Sequence, residues 1–129
     1  MSHDFGNLQS LLRAPQSLLT EGPSLEPYLH DATQFTATPL AVLRAESTKD
    51  IITAVRYCRE HTLAITPRGA GTGLSGGCVA APNALVISTE NLKHLEIRAA
   101  DKIAICGAGV ITKDLENAAA QFELTYPPD

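Results

Sequence analysis

No apolar run in the 129-residue sequence approaches the ~20 residues that a membrane-spanning helix needs. The first residues, Met1-Ser-His-Asp-Phe, carry neither a basic nor an apolar stretch, so no secretory leader is expected. A basic excess is also missing. Ten Lys+Arg face fourteen Asp+Glu, a formal net charge of −4. That balance excludes the electrostatic footprint of a nucleic-acid or anionic-membrane binder, so any bound phosphate must be held locally. The three cysteines (Cys58, Cys78 and Cys106) are odd in number, widely spaced and form no C-x-x-C pair. A reduced, cytoplasmic chain fits them better than a disulfide scaffold. None of His3, His30, His61 and His94 has a partner at metal or triad spacing, so neither a metal site nor a catalytic histidine is expected.

What remains is ordinary globular material, 44% apolar and 19% charged, enough for one domain with a real core. Residues 1–38 are polar and punctuated by Gly22-Pro23 and Pro27, and read as an arm with a short helix over 5–13. His3 falls near a terminus expected to fray. The second unit, 39–129, opens with a short apolar strand at 40–44. Ser47 then reads as a helix N-cap, with Asp50 completing a capping box, and Ile51, Ala54, Val55 and Cys58 recur on one helical face. A second apolar run at 63–66 makes the spacing that of a right-handed βαβ unit with parallel strands. Residues 84–88 read as another strand. Residues 95–98 and 102–106 flank Ala99-Ala100-Asp101 as a hairpin. Thr112 is the expected cap of a second helix with Leu115, Ala118, Ala119 and Phe122 on one face, and 124–126 a last strand. The fold class is α+β: a βαβ unit, a hairpin and a second helix on a small mixed sheet.

Five of the nine glycines fall in eleven residues directly after the 63–66 strand: Pro67-Arg68-Gly69-Ala70-Gly71-Thr72-Gly73-Leu74-Ser75-Gly76-Gly77. Gly71, Gly73 and Gly76 match G-x-G-x-x-G, but a Rossmann loop opens directly into a helix, and Pro82 ends any helix here within a turn. A P-loop requires Gly-Lys-Ser/Thr, and no lysine follows. A long loop with glycines at near-alternate positions can instead wrap a pyrophosphate with successive N–H groups, with Thr72 and Ser75 adding hydroxyl donors and Arg68 charge. A structural crossover between strands is the plain alternative, and an arginine leaving a strand is as often in a structural pair. Cys78, just past the run, is the thiol nearest such a site, although burial is its default reading. For the pair Tyr28 and Asp31, packing or capping is the expected role.

The run 67–77 resembles the FAD-pyrophosphate loop of the FAD-linked oxidases of the vanillyl-alcohol oxidase and p-cresol methylhydroxylase (PCMH) type. The closest similarity is to the glycolate oxidase large subunit and the D-lactate dehydrogenases. Pro39-Leu-Ala-Val-Leu-Arg-Ala-Glu-Ser-Thr-Lys-Asp-Ile, Asn91-Leu-Lys-His-Leu-Glu-Ile, Ile105-Cys-Gly-Ala-Gly-Val and Tyr126-Pro-Pro-Asp resemble further family segments, in the same order and spacing. The resemblance implies the first subdomain of a PCMH-type FAD-binding domain. It implies FAD held by Arg68, Gly69, Ala70, Gly71, Thr72, Gly73, Leu74, Ser75, Gly76 and Gly77, with Pro128 and Asp129 beside the ring. Thr72 falls where some members carry a flavin-linking histidine, so the resemblance implies non-covalent FAD.

The family's second subdomain and substrate domain, with its catalytic groups, follow the last of these motifs, so no catalytic residue is expected within 1–129. The resemblance further implies a parent enzyme that oxidises a small 2-hydroxy acid by hydride transfer to FAD. Half a cleft is expected to leave an apolar docking face and hence self-association. Two alternatives stay open at this stage: a fragment that does not bind FAD alone, or part of another FAD-fold enzyme such as an enolpyruvyl-sugar reductase.

Overall fold

A computed structural model describes residues 3–127. In chain order the elements are α1 (Gly6–Leu11), β1 (Leu18–Leu19), a 3-10 segment over Gly22–Tyr28, β2 (Ala41–Arg44), α2 (Thr48–Glu60), β3 (Ala64–Arg68), β4 (Ala84–Ser88), β5 (Leu95–Arg98), β6 (Ile103–Cys106) and α3 (Thr112–Ala120). The fold is α+β with a small mixed sheet, of order β1-β2-β4-β3.

All five positions of β4 are buried, as an apolar strand inside a parallel sheet should be. It pairs in parallel with both β2 and β3. The βαβ unit read from the sequence forms, with β2 and β3 parallel in one sheet and α2 between them in the chain; β4 is inserted between the two strands. The register aligns Arg44, Ser88 and Arg68 across the carboxyl edge of the three strands. β1, from the arm, covers the other side of β2 in antiparallel pairing.

Side-chain alternation along β4 divides the core between two faces. Leu85 and Ile87 join Leu43, with Ala54, Tyr57 and Cys58 of α2 and Phe5, Leu8 and Leu12 of the arm. Ala84 and Val86 join Val42, Ala80 and the arm's Leu25 and Tyr28. The arm thus seals both faces. His3 is packed, not frayed: its Nε2 lies 2.7 Å from the Tyr57 hydroxyl, which donates to the Asp4 carbonyl at 2.9 Å.

Ser47 caps α2 as its sequence indicates, its hydroxyl oxygen accepting from the Asp50 N–H at 3.3 Å. The return half of the box is shifted by one residue. The buried Asp50 carboxylate accepts from the Glu46 N–H at 3.1 Å and the Ser47 hydroxyl at 3.0 Å, while its other oxygen accepts from the Arg13 N–H at 3.5 Å. One carboxylate therefore ties the helix start to the arm.

β5 and β6 form a separate two-stranded antiparallel sheet, turned by Ala99–Asp101 and by Lys102 in the left-handed region at φ 55°. The hairpin is therefore not part of the mixed sheet. Its ladder continues through Gly107 N–H to the His94 carbonyl at 2.8 Å and Gly109 N–H to the Leu92 carbonyl at 2.9 Å, and the Thr89 hydroxyl, just past β4, donates to the Ala108 carbonyl at 3.0 Å. A Cβ at residue 109 would lie 2.2 Å from the Thr89 carbonyl oxygen, so only glycine admits this approach.

Ile111, not Thr112, holds the cap position of α3, because its carbonyl already accepts from the N–H groups of Asp114 and Leu115. Leu115 and Ala119 are buried as expected, but Phe122 is exposed: α3 ends at Ala120 and Glu123 turns left-handed at φ 58°. The expected strand at 124–126 does not form, since those residues pair with no strand among the described residues.

Replacing Asp50 with alanine strands the Glu46 N–H and the Ser47 hydroxyl. Asp50→Ala is expected to lower the unfolding free energy by about 1–3 kcal/mol, measured by urea denaturation, with the far-ultraviolet circular dichroism of the native state unchanged.

Candidate functional site

β3 runs two residues further than its apolar core suggests, so Pro67 and Arg68 are the last residues of the strand, not the first of the loop. Arg68 is buried at 7% exposure despite its charge. Its Nη2 donates to the Pro27 carbonyl at 3.1 Å, its Nη1 to the Cys78 carbonyl at 3.5 Å, and its guanidinium lies 5.7 Å from the Tyr28 ring centroid. Those contacts engage both ends of the guanidinium fork and place the cation over an aromatic ring. The charge that the sequence assigned to a ligand is here engaged by protein carbonyls.

The glycine loop leaves at the carboxyl edge of the sheet, where ligands of parallel sheets collect. Among the described residues, none of the nine backbone N–H groups of 69–77 donates to a protein acceptor. Neither the Thr72 nor the Ser75 hydroxyl has a protein partner there, and both residues are exposed. Hydrogen bonding resumes only past the loop, with the Val79 N–H on the Gly76 carbonyl at 3.1 Å and the Ala81 N–H on Thr66 Oγ1 at 3.0 Å. A run of donors this long without protein acceptors is open to solvent and to a ligand alike. Gly71 sits at φ +74°, and a Cβ there would fall 2.3 Å from Arg68 Nη2, so the loop passes the guanidinium at a distance only glycine permits.

Facing the loop is a cleft of about 220 Å³ between Ala70, Glu90, Lys93 and the turn 108–111. Lys93 is exposed and makes no ion pair among the described residues. Glu90 is engaged twice at one oxygen: the Tyr28 hydroxyl donates to its Oε1 at 2.5 Å, and Arg44 Nε pairs with the same oxygen at 2.9 Å. Burial, then the Glu90 hydrogen bond and charge, push the Tyr28 pKa up to about 12. Asp31 is held below the usual carboxylate range by the Thr33 hydroxyl and N–H.

Arg68 and residues 69–77 are thus brought together at one sheet edge. Pro128 and Asp129 lie outside the described residues. Sequence reasoning missed Lys93 and Glu90, which carry no motif. The expected packing and capping roles of Tyr28 and Asp31 are met: Tyr28 is buried in the core and Asp31 accepts from the Thr33 N–H.

Three comparisons bear on this geometry. Residues 39–129 match a family described as "FAD binding domain". The chain belongs to this FAD-binding domain family. It is 35% identical over 111 residues to a D-lactate dehydrogenase of Archaeoglobus fulgidus, covering 82% of this chain and 25% of that protein. It is 40% identical over 114 residues to a D-2-hydroxyglutarate dehydrogenase of Xanthomonas citri pv. viticola, covering 87% and 24%. A glycolate oxidase subunit GlcD of Bacillus subtilis is 38% identical over 104 residues, covering 79% and 22%. The chain therefore spans about a quarter of the length of the curated relatives it matches. Among solved structures, Phl p 4, a grass pollen allergen with glucose dehydrogenase activity, superposes with a TM-score of 0.82 at 17% identity, over 98% of this chain and 28% of that one. This last likeness concerns the fold alone.

FAD is accordingly the ligand of this domain, and the residues present fit it. Its pyrophosphate is an acceptor-only group, and the loop offers nine unpaired N–H donors, two free hydroxyls and no carboxylate.

The high Tyr28 pKa has a measurable consequence. Folding raises it above the ordinary value of 10.0, so its share of stability is complete below that pH and is lost as pH rises through about 12. Alkaline titration followed by phenolate absorbance is expected to show a step near pH 12 that is missing in Tyr28→Phe.

Proposed function

We propose that residues 69–77 hold the FAD pyrophosphate in an FAD-linked oxidoreductase that oxidises a small 2-hydroxy acid of the glycolate or D-lactate class. The observation that carries the site is the unbroken run of nine N–H groups without acceptors at the carboxyl edge of a parallel sheet. Thr72 and Ser75 add hydroxyl donors, and Lys93, across the cleft, adds the local positive charge that a net-acidic chain must supply somewhere. Arg68 acts at one remove, by holding the loop. Support for the substrate class comes from the relatives, whose names refer to D-lactate, D-2-hydroxyglutarate and glycolate.

When bound, the flavin supplies a hydride acceptor for the carbon bearing the substrate hydroxyl. The task of this chain is to bind and aim that acceptor, which sets the geometry of transfer. No acid, base or nucleophile is assigned to residues 1–129. FAD is held without a covalent bond: Thr72 stands where a flavin-linking histidine would be, and its hydroxyl is no flavin nucleophile of that kind.

Titration of the chain with FAD, followed by flavin fluorescence, is expected to saturate, and acid precipitation should release all flavin to the supernatant. Thr72→Ala and Ser75→Ala should each weaken binding by about fivefold, the worth of one hydrogen bond. A titration that never saturates overturns the binding reading, and flavin that stays with the acid precipitate overturns the non-covalent one.

A further inference from the structure

The loop 69–77 has no hydrogen bonds of its own among the described residues, yet it must present its donors in one arrangement. Its shape is therefore imposed from outside. The contacts that impose it come largely from the arm, upstream of the matched family region.

At the base, the Pro27 carbonyl takes one end of the Arg68 guanidinium, which lies over the Tyr28 ring. Tyr28 is itself located by its hydroxyl on Glu90, which Arg44 anchors from the end of β2. The other end of the guanidinium holds the Cys78 carbonyl, so the two ends of the loop are tied to one side chain. At the tip, the arm folds back on itself. Asp31 Oδ1 accepts from the Thr33 N–H at 2.7 Å, Thr33 Oγ1 accepts from the Phe35 N–H at 3.2 Å, and the Ala37 N–H donates to the Leu29 carbonyl at 2.9 Å. This turn presents Phe35, whose Cδ2 lies 3.4 Å from where a Cβ on Gly76 would stand. Phe35 remains 66% exposed, so burial of its own surface accounts for little of its placement. The second oxygen of buried Asp31 has no hydrogen-bond partner among the described residues.

We propose that the segment 27–35 is a bracket that holds the glycine loop in its ligand-ready shape, with Tyr28 and Phe35 as positioning residues for FAD binding. The proposal rests on the reading of 69–77 as the pyrophosphate site. A loop tied at both ends, with the Phe35 ring beside Gly76 limiting its excursions on that side, loses less backbone freedom when the dinucleotide arrives, and affinity follows from that preorganisation.

The test uses the intact chain with Phe35→Ala, Tyr28→Phe and, as a control, Phe122→Ala, an exposed apolar residue on another element. Nitrogen-15 relaxation of the loop amides is measured without ligand, and FAD affinity by fluorescence titration. Phe35→Ala is expected to raise fast-timescale mobility around Gly76 and Gly77, and Tyr28→Phe around Gly69 to Gly71. Each should weaken FAD binding by about three- to tenfold, while the control moves neither readout. Phe35 is exposed, so its variant keeps its thermal midpoint even if Tyr28→Phe folds poorly.

Loop relaxation unchanged in Phe35→Ala overturns the bracket, whatever FAD does. Mobility that rises with FAD affinity untouched overturns its role in binding. Mobility that rises in a chain whose wild type never binds FAD overturns the pyrophosphate reading, and with it the bracket's role for that ligand, while supporting the bracket as the loop's support.

Discussion

The Arg68 guanidinium holds two carbonyls, one 41 residues before it and one 10 residues after it, and lies over the ring of Tyr28. A buried cation is tolerated only when its donors are engaged and its field is balanced. Here the carbonyls of Pro27 and Cys78 accept, and the face of the Tyr28 ring lies toward the cation. The arm, the last strand residue and both ends of the glycine loop consequently occupy one arrangement. The loop can forgo internal hydrogen bonds, and so leave its N–H groups for a ligand, because this contact closes it.

The sheet determines where that happens. β4 pairs with both β2 and β3, and the shared register brings Arg44, Ser88 and Arg68 to a common edge. Three chain segments leave there: the capped start of α2, the glycine loop and the turn that leads to the hairpin. The hairpin ladder continues through Gly107 and Gly109, and the Thr89 hydroxyl donates to the Ala108 carbonyl, which places 108–111 opposite the loop and forms the cleft. Glu90 stands at the junction, linking Arg44 of β2 to Tyr28 of the arm. The electrostatics of the edge therefore form one connected network whose open face carries Lys93 and the unpaired amides.

Much of this was legible along the chain. Ser47 three residues before Asp50 marked the start of α2, and the run Ala84-Leu-Val-Ile-Ser marked β4 to the residue, because local hydrogen-bond chemistry and unbroken apolarity act within a few positions. That the glycine run is no Rossmann loop was legible, because Pro82 removes the helix such a loop needs, and no helix follows it before β4. The insertion of β4 between β2 and β3 was not legible, since strand order is a long-range pairing and the apolar runs carry no label of their partner. Thr112 looked like a cap by residue type, but it is the first helical residue and the cap is Ile111, where backbone geometry rather than side-chain chemistry decided the boundary.

Sequence by itself determined the family, the α+β class, the two long helices and the place of the glycine loop at the end of β3. Those features depend on residue type, short-range periodicity and the steric freedom of glycine, all of which are local. Tertiary structure alone decided what Arg68 does. As the last residue of a strand beside a glycine run it reads equally as a phosphate ligand or a structural cation, and only the arrival of Pro27 and Tyr28 from the arm turns its donors inward. The same holds for Lys93, Glu90 and Phe35, which no motif marks. Their roles arise from distances between segments far apart in the chain, and those distances exist only once both faces of the sheet are packed.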